Sequence, residues 1–409
     1  MPSGSAKTLP PDHSVAIIGA GPVGTYTALT AANHGVDVAV YEEHSIVGEP
    51  AHCTGHLNLG GLQRLHITPP PRTVQSGVRL YKFFSPAGHE LVFDSSSPRS
   101  VIVDRRLFDR WLSAEAEKRG VSLRRGHRVL SVRLDSSRRS RELAYTDGKK
   151  VQDTTASVVV DAEGYPPSLL LKQGYLSRGS SERVTGVQVR ADRITDADEG
   201  SVEVYFGSRY ADGFYAWIAP LRDDTAKIGL ATRHQDPRTL LNRLLRKHPV
   251  ASRKLEKARL SSPVFHAIPL GGAPRRTCWP GLLTVGDAAS HVKPTTGGGV
   301  ITGLMGAKFA GESAAHSVVD HDPTLIQGYE KEWRRALGPN LAVMRLFRRI
   351  IDATPDRLMD RLFRSAKKVG VDDLFNRLDL DFQGSSLLAL LKETNSINTL
   401  VLLLMRCIF

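Results

Sequence analysis

The sequence predicts an α/β protein of two unlike layers. One is a Rossmann-like βαβ domain that is interrupted and later resumed, the other an antiparallel-sheet domain set into the interruption, and a helical region closes the chain. Three observations carry this reading. A βαβ unit of about thirty residues opens near Ser14, alternation and turn spacing typical of antiparallel strands fill Val184 to Gly229, and a strand of the buried parallel type returns at Leu282 to Gly286. The 409 residues are 41% hydrophobic and 24% charged, which excludes collagen-like and disordered chains and leaves room for two or three domains.

In order, Ser14-Val15-Ala16-Ile17-Ile18 is a short β-branched run, followed by a Gly-rich turn and by Thr25 to His34 with alanines at helical spacing. Gly35 suits a helix C-cap, and Val36 to Tyr41 supplies the second strand. Residues 45–75 read as loop, with Gly48, Pro50, Gly55, Gly60-Gly61 and the Pro69-Pro70-Pro71 break. From Val78 to Leu143 short strands alternate with one amphipathic helix, Leu107 to Lys118, and Val158 to Asp161 is another buried strand. After Leu282 to Gly286 come a Gly-rich loop and a helix, Val300 to Ala315, and from Glu330 the pattern is helical. No internal repeat stands out.

Gly19-Ala20-Gly21-Pro22-Val23-Gly24 is GxGxxG in its full context: a strand precedes it, a helix is expected to open at its third glycine, and Glu42 ends the next strand. The glycines allow a tight turn, a close backbone approach to a pyrophosphate and helix packing on the strand, while Glu42 would accept ribose hydroxyls. Two later segments select the dinucleotide. Asp287, in Thr284-Val285-Gly286-Asp287-Ala288-Ala289, ends a strand where a carboxylate can take a ribityl hydroxyl. Gly297, Gly298, Gly299 and Val300 then bring a helix N-terminus to a flavin's pyrimidine end. A nicotinamide enzyme has no need of such a segment about 260 residues downstream, so the expected cofactor is FAD.

These residues resemble the two-domain FAD-binding fold of the aromatic-hydroxylase type. The resemblance implies that Arg105, in Val103-Asp104-Arg105-Arg106-Leu107-Phe108-Asp109, reaches the cofactor from a helix start, in preference to Arg106. It implies that Val129, on the strand after that helix, holds adenine through main-chain groups. Ala162-Glu163-Gly164 stands where that group has Ala-Asp-Gly. The implied domains are an FAD-binding first part over 1–75, a mixed stretch over 76–160 with 100–180 largely FAD domain, an antiparallel substrate domain over 181–275, the last FAD part over 276–330, and a helical 331–409.

Gly48-Glu49-Pro50-Ala51-His52-Cys53-Thr54-Gly55 resembles the cysteine-bearing loop of the geranylgeranyl reductase family, archaeal digeranylgeranylglycerophospholipid reductases in particular. That would set Cys53, Thr54 and Gly55 over the flavin. Phe214-Tyr215-Ala216-Trp217-Ile218-Ala219-Pro220 resembles the family's Y-x-W-x-F-P signature, with Asp212 where the signature opens on Pro and Ala219 where it has Phe. The resemblance implies an FAD-dependent reductase of prenyl double bonds in membrane lipids or their precursors, with Cys53, Tyr215 and Trp217 as catalytic candidates. A trisubstituted alkene with no neighbouring carbonyl needs a proton at one carbon as hydride reaches the other, and aromatic faces stabilise the cationic character that develops. Cys53 could gate electron entry, contribute a proton or merely pack on the ring. Tyr215 and Trp217 have strand core as their alternative reading. Rival functions are a flavin monooxygenase or halogenase acting on a small aromatic, and a lipid-binding or redox-sensing flavoprotein without turnover. The electron donor is left among ferredoxin, a reduced deazaflavin and NAD(P)H.

Lys+Arg 55 against Asp+Glu 42 gives a net charge of +13, which favours an anionic partner. Residues 237–259 hold eight Lys/Arg and one Glu, and residues 341–351 place Leu341, Met344, Phe347 and Ile351 on one face with Arg345, Arg348 and Arg349 around it. A basic amphipathic helix suits an anionic lipid surface, whereas no nucleic-acid motif appears. Thr399 to Phe409 is an apolar ending too short to span a bilayer, to be either buried or shallowly inserted. The expected location is cytoplasmic, peripheral on the inner face of the cell membrane. Three scattered cysteines, Cys53, Cys278 and Cys407, fit a reducing compartment, and His13, His34, His44 and His56 lack metal-ligand spacing.

Overall fold

The computed structural model describes residues 10–135, 140–177, 182–369 and 379–384. Its first sheet runs in the order Cys278–Trp279, Leu282–Thr284, Val151–Asp161, His13–Ile18, Val38–Glu42, Ser122–Arg125. All neighbours are parallel except the first pair, and Ser140–Thr146 and Arg128–Asp135 extend it as antiparallel strands. Val15, Ala16 and Ile17 have no exposed surface, because helices cover one face of the sheet and a second apolar cluster the other, so the strand reads as continuous rather than alternating. The register aligns Ile18 with Asp161 and Asp161 with Thr284. The carboxyl ends of these strands therefore finish together, which is where an open α/β sheet binds its ligand.

Helix Pro22–Ala32 follows the first strand, and it opens two residues before Gly24 rather than at it. Proline at the first helical position is pre-set for helical φ, which fixes that start. Residues 45–75 are more ordered than expected, containing the strand His56–Asn58, the helix Leu59–Arg64 and a 3₁₀ turn Pro71–Thr73. The strand exists because it pairs with Ser100–Val103, which also pairs with Val74–Val78, and the helix because the Asn58 side chain caps the Gly60 N–H.

The second sheet runs Arg259–Leu260, Arg183–Asp192, Ala226–Thr232, Ala216–Pro220, Ser201–Tyr205, Leu80–Phe84, Glu90–Asp94, with Val264–Pro269 also on Arg183–Asp192. Its pairs are antiparallel apart from Ser201–Tyr205 with Leu80–Phe84. Helix Val300–Val319 then returns to the first sheet, followed by Gln327–Asp352 and Asp356–Val369.

The apolar stripe expected to face lipid is spent on the core. Leu341, Met344, Phe347 and Ile351 are all buried, and Arg348 is buried with them, paired to Asp352. A stripe records which side of a helix is apolar, not what covers it. The basic segment after Pro237 behaves likewise, since helix Pro237–Lys247 buries Leu240, Leu241 and Leu244 and turns its arginines outward. Thr399 to Phe409 and Cys407 lie outside the described residues.

Candidate active site

The dinucleotide end is built from backbone. Gly19 has φ +94, and a Cβ there would lie 2.6 Å from the Ala162 carbonyl oxygen; a Cβ on Gly24 would lie 2.0 Å from the Gly19 oxygen. Only glycine allows strand, turn and helix to meet this closely. Gly21 caps helix Pro22–Ala32 without a side chain. Glu42 is buried at the end of its strand, where one oxygen accepts the Ala20 N–H at 2.8 Å and the other the His44 N–H at 2.9 Å. The turn before Val129 joins this corner, His127 N–H donating to the Glu42 carbonyl at 2.8 Å. Val129 is on Arg128–Asp135, the second strand after the helix rather than the first, because Ser122–Arg125 intervenes.

Asp287 sits in the 3₁₀ turn Gly286–Ala289, and a Cβ on Gly299 would lie 2.5 Å from its Oδ1. The carboxylate thus packs on the glycine loop that opens helix Val300–Val319, itself capped by Gly299 without a side chain. Burial pushes the Asp287 pKa up, and Arg105 pulls against it. Arg105 faces inward, its guanidinium bidentate to Asp109 at 2.8 Å for both bonds and in contact with Cys53. Arg106 points outward to Asp104. Glu163 turns away to cap helix Ser168–Lys172, accepting the Leu169 N–H at 2.9 Å, while burial and the Glu163 charge push its neighbour Asp161 well above the carboxylate range.

Beside this cradle lies a cavity of about 210 Å³. It brings together Cys53, Thr54, Tyr215, Trp217, Gly297 and Gly298, residues up to about 245 positions apart in the chain. The Cys53 Sγ accepts the Gly55 N–H at 3.4 Å. Tyr215 donates its hydroxyl to the Thr296 carbonyl at 2.6 Å, and burial raises its pKa, so the proton stays on the ring. Phe214 stacks on Tyr215 at 4.3 Å between centroids, and Trp217 meets Tyr215 edge-on at 6.0 Å. A Cβ on Gly229, across from Trp217 on the next strand, would lie 2.3 Å from Cζ2, so the indole lies flat on bare backbone. Ala219 is fully buried in the wall.

Several residues in the lining or hydrogen-bonded to it carry no motif in the sequence. Tyr81, Ser100 and His56 form a hydrogen-bonded row, each link 2.6 Å. Lys227 crosses from the second sheet to donate to the Thr54 carbonyl at 2.8 Å and the Val103 carbonyl at 3.2 Å, and Gln188 accepts the Thr54 hydroxyl at 2.7 Å. His266 lines the cavity near His52. Lys227 was the most legible of these, a lone charge in the small, apolar strand Ala226–Thr232. Leu380 and Gln383 close one side, held through Asp381, which takes Lys293 Nζ at 2.9 Å and Asn58 Nδ2 at 2.5 Å. A groove of about 810 Å³ along Trp279 and Gln327 includes none of the expected site residues. Among the described residues no cluster of three or more His, Cys, Asp or Glu could hold a metal, and no helix is long and apolar enough to cross a membrane.

Glycine-tight backbone at two helix starts, a carboxylate at each strand end and an adjoining aromatic cavity define a two-layer flavoprotein that takes FAD. Residues 12–338 match the FAD binding domain family, and the chain belongs to it. It is similar to digeranylgeranylglycerophospholipid reductase 2 of Methanothermobacter thermautotrophicus, 29% identical over 367 residues that cover 86% of this chain and 91% of that protein. The digeranylgeranylglycerophospholipid reductase of Methanosarcina acetivorans is 27% identical, covering 91% of this chain and 93% of that protein. Among solved structures, a geranylgeranyl bacteriochlorophyll reductase-like protein from Thermoplasma acidophilum superposes with a TM-score of 0.81 at 22% identity, covering 87% and 91%. A flavin-dependent brominase shares the fold with a TM-score of 0.68 at 16% identity, covering 88% and 92%.

Proposed function

We propose that this chain is an FAD-dependent reductase that saturates carbon–carbon double bonds of geranylgeranyl chains in membrane lipids or their precursors. The observation that carries the proposal is the cavity that joins Cys53 to Tyr215 and Trp217, with walls otherwise rich in apolar side chains such as Phe83, Val202, Val204 and Ile268. An isoprenoid chain is recognised by shape and apolar contact alone, and this lining offers both. Reduced FAD supplies the hydride when bound. The chain's own part is to hold the alkene, exclude water and manage a proton. Tyr215 presents its ring and not its hydroxyl, which Thr296 occupies, so with Trp217 it supports cationic character at carbon. Cys53, between Arg105 and the cavity, faces the reacting region.

In this reading 1–75, most of 100–180 and 276–330 form the FAD domain, and 181–275 forms the substrate domain together with Leu80–Phe84 and Glu90–Asp94. Glu42, Asp287, Arg105, Val129 and the two glycine loops are the FAD contacts. The enzyme works as a peripheral protein on the cytoplasmic face of the membrane, drawing electrons from ferredoxin, a reduced deazaflavin or NAD(P)H. What supports the membrane position is the outward face of helix Gln327–Asp352, where Leu346 and Ile350 are exposed beside Arg349.

Mass spectrometry of lipids from a host given a geranylgeranyl-lipid pathway and this chain tests the reading. Lipids heavier by two hydrogens per reduced bond are expected, with Cys53→Ser lowering the yield while FAD stays bound. Unchanged lipids together with oxygen-dependent hydroxylation or halogenation of an aromatic would overturn it.

A further inference from the structure

The proposed reduction leaves one requirement unassigned, the source of the proton. His266 is on the strand Val264–Pro269, where it pairs with Gly186 of the neighbouring strand. A Cβ on Gly186 would fall 2.6 Å from His266 Cε1 and 2.8 Å from Nε2, so the imidazole lies flat on the sheet just as Trp217 lies on Gly229. The ring lines the cavity, and its Nδ1 is buried without a hydrogen-bond partner. Trp217 Nε1 is orphaned in the same way. Leaving a buried polar atom unpaired costs on the order of 1–3 kcal/mol, and a hydrocarbon chain brings no atom to pair with it. An imidazole nitrogen left open in a hydrocarbon site suits proton handling better than recognition, whereas the indole N–H of Trp217 only donates.

The His52 ring, exposed on the cysteine loop, lies 5.3 Å from the His266 ring at an interplanar angle of 31°. Three other proton-bearing groups of the lining are engaged: Tyr215 with Thr296, His56 with Ser100, and Lys293 with Asp381. Burial lowers the His266 pKa to about 4, with His52 adding to the effect, so the resting ring is neutral and has one nitrogen to receive a proton and one to release it.

We propose that His266 is a further catalytic residue, the relay that delivers the proton to the alkene carbon after receiving it from His52. The step balances. Hydride from reduced FAD forms one C–H bond, the π pair forms the second with the proton leaving His266, and solvent replaces that proton through His52, so the imidazole ends neutral and FAD oxidised. The inference rests on the reductase reading, and its test separates the two.

Holoenzyme reduced chemically under anaerobic conditions is mixed with a geranylgeranyl phospholipid in detergent, and flavin reoxidation is followed by stopped flow. Wild type is expected to reoxidise and saturate the lipid. His266→Phe, which fills the site but carries no proton, is expected to do so on the order of 10²-fold more slowly with unchanged FAD affinity. Gly186→Ala, which lifts the ring, should share the loss, and added imidazole should restore part of the rate to His266→Ala. If wild type itself leaves the flavin reduced, the reductase reading fails. If wild type turns over and His266→Phe matches it, the relay alone fails. Ring NMR of the flavin-free protein gives a readout independent of turnover: His52→Phe should shift the His266 nitrogens, and unshifted nitrogens overturn the path through His52.

Discussion

Replacing Lys227 by Met should change how stability depends on pH, and the structure sets both sign and size. The Lys227 ammonium leaves water to lie between the second sheet and the Thr54 and Val103 carbonyls, and burial, with repulsion from Arg105 and Arg190, lowers its pKa from 10.5 to about 8. At 1.36 kcal/mol per unit this is about 3 kcal/mol that disfavours the folded charged form. Unfolded, the lysine keeps its proton up to its ordinary value; folded, it releases it near pH 8. Between the two the unfolded chain binds more protons, so wild-type stability rises with pH through that window, and below it the full penalty stands. Against the penalty work two charge-assisted hydrogen bonds, to the Thr54 and Val103 carbonyls, each contributing roughly 1.5–3 kcal/mol. Methionine removes penalty and bonds together. Urea unfolding of the FAD-bound protein at a series of pH values should therefore show wild type gaining about 3 kcal/mol on Lys227→Met between pH 8 and 10.5, since other lysines and tyrosines titrate in both proteins. Parallel curves for the two proteins across that window would refute the argument.

Two further outcomes follow from distances in the site. Asp287→Ala should weaken FAD binding by about 1.5–3 kcal/mol, the scale of a hydrogen bond to a charged acceptor, read by flavin fluorescence titration; unchanged affinity would remove Asp287 from the cofactor site. Gly229→Ala places a Cβ 2.3 Å from Trp217 Cζ2 and should displace the indole, costing roughly 1–3 kcal/mol in stability and most of the prenyl reduction while FAD affinity holds. Full reduction by that variant would show that Trp217 need not lie flat on the sheet.

What the sequence disclosed follows the range of the interactions involved. The glycine fingerprint, Glu42 and Asp287 are legible because strand, turn and helix lie within a few residues of one another. The strand His56–Asn58 was hidden because it exists only through its pairing with Ser100–Val103, about 45 residues away. The placement of His266, Gln188 and Lys227 escaped for the same reason, since each meets a residue distant in the chain. The stripe Leu341, Met344, Phe347, Ile351 was correctly seen as apolar and wrongly assigned to lipid, because helical periodicity is the same for a core and for a membrane face.

The two halves of the molecule divide the work by the kind of atom they use. The first half is built of backbone brought close by glycine at Gly19 and Gly24, with the buried carboxylate of Glu42 and the carboxylate of Asp287 beside it. The second sheet contributes side chains, and Trp217, Tyr215, Ala219 and His266 line the cavity. Such a division demands registry between the halves, because a shift of about 1 Å is enough to spoil a transfer between positioned groups. Three hydrogen bonds supply it at the cavity itself: Lys227 to Thr54, Thr54 to Gln188, and Tyr215 to Thr296. Each ties the second sheet to a residue adjoining Cys53 or the 297–299 glycine loop. The bonds that hold the halves together are therefore the bonds that align the two sides of the cavity.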